Sequence, residues 1–141
     1  MRQCELLTKK QVSLYNKLTG KNMYFDQEMK NAIIKSKIEE IRFNVAGVVV
    51  ILENESILSI ENPVVFSNNT SSFIDKIILH IEETETDVKF LLENMQSVTI
   101  DISEEGFGGF PEAIHISNRN GKCWIIRNGD VVIFQTDSMD N

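Results

Sequence analysis

Residues 48–52, 56–60 and 64–66 of this chain read VVVIL, SILSI and VVF, three short apolar segments separated by ENE and ENP. Runs this short, rich in β-branched residues and bounded by Asn, Glu and Pro, form strands joined by tight turns. The longest apolar run, residues 45–52, is far below the roughly 20 residues a membrane-spanning helix requires. Upstream, Ile41, Phe43 and Val45 alternate along one strand face. The middle of the chain is therefore expected to be a meander of short strands.

Two helical segments precede it. Over residues 6–19, Leu7, Val12, Leu14, Tyr15 and Leu18 repeat at near-helical spacing, and Thr19-Gly20 supplies a stop. Over residues 26–36, Asp26 can cap while Met29, Ala32 and Ile33 lie along one side. The length of 141 residues and the hydrophobic content of 42% suffice for one domain with one core, spanning residues 1–141.

Laying residues 48–62 over residues 114–128 without a gap matches Asn54 to Asn120, Ile60 to Ile126 and Asn62 to Asn128. Upstream, Ile41–Phe43 falls over Ile100–Ile102, and the helical residues 26–36 over residues 86–95. This predicts an α+β fold: an antiparallel sheet or half-barrel from two similar helix-plus-four-strand halves, 26–68 and 86–136, with an extra N-terminal helix. The alternative is chance similarity between two meanders.

In that alignment Val45-Ala46-Gly47 corresponds to residues 103–112, SEEGFGGFPE, so the longer stretch is an insertion in a hairpin connection. Connections longer than the fold demands are where binding concentrates. A phosphate cradle is disfavoured, since no Lys follows the glycines and the flanking carboxylates repel anions. With Phe107, Phe110, Glu104, Glu105 and Glu112, the stretch instead suits a protein-contacting tip, and Glu82, Glu83 and Glu85 extend the acidic patch.

Charge points the same way. The net charge of -7 divides into nine basic and five acidic residues over 1–42, against five basic and sixteen acidic over 43–141. The larger portion is poorly suited to nucleic acid, whose affinity comes from lysine and arginine displacing counterions, and suits a cationic protein. Acidic surface also serves solubility alone. The N-terminus lacks the continuous apolar core of a signal peptide, and Cys4 and Cys123 are too few for a disulfide scaffold, which suggests cytoplasmic thiols.

Catalytic signals are weak. His115 and Cys123 fall in adjacent strands of one hairpin, but a buried Cys beside a hydrogen-bonded His is the commoner outcome of such a pair. His80 lies in the apolar stretch 76–81, where a half-buried or surface position is commoner than a ligand, and Trp124 belongs to the core. Two His and two Cys far apart show no metal-ligand spacing, and residues 82–87 begin a helix rather than a calcium loop. No cofactor and no catalytic residue is assigned, and the chain is not expected to be an enzyme.

Size, acidity, richness in Ile, Asn and Lys, and the C-terminal third from Pro111 to Asp130 resemble bacterial immunity proteins of contact-dependent growth inhibition and other polymorphic toxin systems. The resemblance implies a stoichiometric inhibitor that occludes the active site of a cationic toxin domain, of which nucleases are the usual kind, with Phe107 and Phe110 as anchors. Two other readings stay open: a homodimeric scaffold paired through strand edges, and a Whirly-like single-strand nucleic-acid binder, similar in topology alone.

Overall fold

The carboxylate of Asp26 accepts the backbone N–H of Met29 at 2.9 Å and caps helix α1, Gln27–Ile33, in a computed structural model that describes residues 24–108 and 112–135. The helix expected over residues 6–19 lies outside them. Helix α1 buries Met29 and Ile33 and ends short of Ser36, because Ile34 turns extended and Lys35 takes φ 72°.

Ten strands follow, and two turns of helix interrupt them. They are β1 (Ile38–Asn44), β2 (Gly47–Leu52), β3 (Ile57–Ile60), β4 (Val64–Phe66), β5 (Ile78–Glu83), β6 (Asp87–Leu92), β7 (Ser97–Asp101), β8 (Glu112–Ser117), β9 (Lys122–Arg127) and β10 (Asp130–Gln135). A 3-10 turn, Thr70–Phe73, precedes β5, and a single helical turn, α2 (Glu104–Phe107), precedes β8. The protein is α+β, as expected. Its strands form two antiparallel sheets rather than one, in the orders β1-β2-β3-β8-β9-β10 and β4-β7-β6-β5. No closed barrel forms among the described residues. Strands β2 and β6 bury every second residue, the period of a sheet with one face on the core. Both sheets and α1 feed one apolar cluster, with Phe25 edge-on to Phe90 at 6.1 Å and Trp124 fully buried.

The expected halves are not the ones that form. Residues 86–95, predicted helical, hold strand β6 and the turn after it: alternate burial of Val88, Phe90 and Leu92 overrides the acidic start that resembled a helix N-terminus. The recurrence instead runs at 40 residues and relates β1-β2-β3 to β5-β6-β7. Its contacts are reciprocal. Lys35 N–H donates to Ile78 O and Asp75 N–H to Ile38 O, both at 2.7 Å; Glu53 N–H reaches Lys37 O at 2.9 Å and Glu93 N–H reaches Ile77 O at 3.0 Å. Each meander then exchanges its next strand. The one after β3, β4, pairs with β7, and the one after β7, β8, pairs with β3.

The similarity at 66 residues has a local origin. In β2-β3 and β8-β9 the same turn closes the hairpin: Glu55 N–H donates to Leu52 O at 3.0 Å, and Gly121 N–H to Asn118 O at 3.2 Å. Both Glu55 and Gly121 have positive φ, 74° and 86°. The alignment thus detected a shared turn, not a shared half.

Candidate functional site

The stretch from Ser103 to Glu112 is a crossover between sheets, since β7 lies in the four-stranded sheet and β8 in the six-stranded one. It is not a hairpin insertion. The Asp101 carboxylate accepts both the backbone N–H and the hydroxyl of Ser103, at 2.8 and 2.6 Å, and the Ser103 hydroxyl accepts Gly106 N–H at 3.1 Å. This chain of bonds starts α2, and Gly108, at φ 55°, ends it. Glu104 and Glu105 are exposed on the turn, whereas Phe107 is 2% exposed and packs into the core. Phe107 is therefore not the partner-facing anchor expected of it, because its ring joins the apolar cluster of the core, where burial removes it from water. Phe110 lies outside the described residues.

The second acidic stretch is also a turn, not a helix start. Glu82 and Glu83 end β5, and Glu85 is exposed at the hairpin tip. Glu83 is engaged inside the fold, where its carboxylate accepts the backbone N–H groups of Tyr24 at 2.5 Å and Phe25 at 3.2 Å. Burial pushes the Glu83 carboxyl above its ordinary range, while those two N–H groups and Lys30 pull it back. Tyr24 in turn accepts Gly129 N–H on its hydroxyl at 3.0 Å, and burial raises its phenol as well.

Topology draws the acidic segments to one end of the molecule. Ile102 N–H donates to Thr86 O at 2.9 Å, and Asp87 faces Asp101 across β6-β7. This sets the Glu85 tip beside the segment leading into Glu104 and Glu105. Asn62 Nδ2 donates to Asp101 O at 2.8 Å and Asp101 N–H to Pro63 O at 3.0 Å, which adds Glu61 to the same end.

Glu112 does not stand free as a partner contact. His115 Nε2 lies 2.8 Å from Glu112 Oε1 and 3.9 Å from Glu61 Oε2, and ligand atoms of all three residues fall within 4.8 Å of one another. Beside them is a cavity of about 190 Å³ whose lining includes Asn44, Gly47, Ser59, Glu61 and His115. Sequence reasoning missed this group because Glu61 and Glu112 are brought together only by the β3-β8 pairing, though Glu112-x-x-His115 was a partial signal.

The Cys–His pair weighed from the sequence does not form. Cys123 is disulfide-bonded, contrary to the expected thiol, and Cys4 lies outside the described residues. Trp124 is fully buried, as expected, and His80 is exposed. Among the described residues no helix is long and apolar enough to cross a membrane. Compared with protein-family models, curated proteins and solved structures, the chain matches none.

Proposed function

We propose that this chain is a stoichiometric binder of a cationic protein domain, of the kind that immunity proteins of polymorphic toxin systems supply. One observation carries the reading: the sheet crossover, the β5-β6 tip and the end of β3 present Glu104, Glu105, Glu85 and Glu61 at one end of the fold. Concentrated carboxylates raise the encounter rate with a basic partner and fit the cationic cleft in which a nuclease holds phosphates. The charge balance of residues 43–141, five basic against sixteen acidic, supports the same partner. Phe110 remains the aromatic anchor of this reading, and Phe107 does not. The reading sets the chain in the cytoplasm.

The test is protection. Where the neighbouring gene encodes a basic toxin domain, co-expression of the chain with that domain is expected to restore growth, and the double variant Glu104→Gln, Glu105→Gln to protect less while staying folded. Unchanged protection by that variant would remove the crossover from the binding surface. Failure of the intact chain to protect would remove the function.

A further inference from the structure

In a regular strand, residues three apart project to opposite faces, so Glu112 and His115 of β8 should point away from each other. They do not, because the register slips between Glu112 and Ile114. The bulge places Ala113 and Ile114 consecutively in the core and returns Glu112 and His115 to one half-buried side. Glu61 arrives from the end of β3, held by its own backbone N–H donating to Ala113 O at 2.7 Å. A bulge that re-aims a side chain, an adjoining strand end fixed by a backbone bond and a cavity alongside converge on one imidazole and two carboxylates.

We infer that Glu61, Glu112 and His115 bind one divalent transition-metal ion. The spacing suits it: with bonds of about 2.0–2.2 Å, neighbouring ligand atoms around a tetrahedral or octahedral ion stand about 3.0–3.5 Å apart. The two separations from His115 Nε2, 2.8 and 3.9 Å, bracket that range, and all three ligand atoms lie within 4.8 Å of one another, so side-chain rotation alone draws them around one ion. The donor set selects the ion. An imidazole nitrogen favours Zn²⁺ over Mg²⁺, and the two carboxylates balance a divalent charge. The neighbouring cation, Arg127, faces Glu112 across β8-β9 but is engaged by Asp130 through two bonds of 2.9 and 3.0 Å. The cavity lined by Asn44 and Ser59 adjoins Glu61 and His115 and leaves room beside them. The ion cross-links the end of β3 to the start of β8, and so anchors the exit of the crossover. A bound ion engages Glu61, which leaves Glu85, Glu104 and Glu105 as the carboxylates of the acidic end that face a partner.

The full chain, stripped of metal by a chelator and dialysed, is titrated with ZnCl₂, MnCl₂ and MgCl₂ by calorimetry. One Zn²⁺ per chain is expected, bound more tightly than Mn²⁺, with Mg²⁺ weakest. Glu61→Gln, Glu112→Gln and His115→Gln are each expected to weaken Zn²⁺ by about tenfold or more, as even the loss of groups that only support metal ligands does; His80→Gln changes nothing. Because a variant can fail by misfolding, the unaltered chain supplies a second readout: Zn²⁺ shifts the imidazole NMR signals of His115 and leaves those of His80 in place. Absence of saturable binding, or Zn²⁺ that leaves the His115 ring signals unmoved, overturns the inference.

Discussion

Lys37 and Ile77, 40 residues apart, face each other in an isolated antiparallel bridge where the two meanders meet. Around it the backbone bonds are exchanged in pairs, and the same unusual conformations recur: Lys35 and Asp75 have φ of 72° and 68°, and Glu55 and Met95 have φ of 74° and 68°. Four non-glycine residues in the left-handed region, at matching places, make a repeat in backbone geometry that the sequence also records, since Ile38, Ile41, Val48, Leu52, Glu53, Asn54 and Ile60 recur as Ile78, Ile81, Val88, Leu92, Glu93, Asn94 and Ile100.

Met95 offers the cleanest test of that geometry. It closes β6-β7 with the turn that Gly121 closes in β8-β9, and its side chain is 94% exposed, so little packing is lost on removing it. A left-handed conformation costs a residue with a Cβ on the order of 1 kcal/mol relative to glycine. Met95→Gly is expected to raise the stability measured by urea unfolding by about 1 kcal/mol, and Gly121→Ala to lower it.

Gly47 is constrained from the opposite direction. A Cβ there would lie 2.0 Å from the carbonyl oxygen of Ile60, a backbone atom inside the six-stranded sheet, and φ is 145°. Gly47→Ala must part β2 from β3, and a loss of roughly 3 kcal/mol is expected in the same unfolding measurement.

Phe107 separates the two readings of the crossover. As a buried residue its replacement by Ala is expected to cost about 3–5 kcal/mol in stability. Were it an exposed anchor, as the sequence suggested, stability would hold and only binding would fall.

Glu83 makes stability depend on pH with a definite sign. Its folded carboxyl is raised by burial, so the group favours the folded state most below the ordinary carboxylate range, and that contribution is lost as pH rises through its elevated folded value. The stability of the unaltered chain minus that of Glu83→Gln is expected to fall across this interval and to level off above it. Urea midpoints recorded from acid to neutral pH measure the difference, and a flat difference would show that the carboxyl is not perturbed.

The strands from β1 to β4 were legible because alternation with a period of two, punctuated by Asn and Pro, has one physical meaning. Strand β6 was missed because Glu82 to Asp87 carry the acidic signature of a helix start, although Val88, Leu92, Glu93 and Asn94 repeat Val48, Leu52, Glu53 and Asn54 of β2 and its turn, and Val88, Phe90 and Leu92 are buried against the facing sheet. The exchange of β4 and β8 between sheets leaves no local trace, so the crossover read as a hairpin. The acidic character of residues 104 and 105 survived into the structure as exposed carboxylates, whereas Glu83 and Glu112 turned out to serve internal contacts. Grouping Glu61 with His115 required knowing that β3 pairs with β8, which is long-range information no local pattern holds.

The association rate of the purified chain with a basic nuclease toxin domain, the partner class proposed above, recorded over a series of salt concentrations, tests the central claim most directly. Charge-steered encounter is screened by salt. The rate is expected to fall steeply as ionic strength rises, and Glu104→Gln with Glu105→Gln to slow it at low salt and flatten the dependence. A rate indifferent to salt, or unchanged by those two substitutions, would contradict recognition through this acidic end.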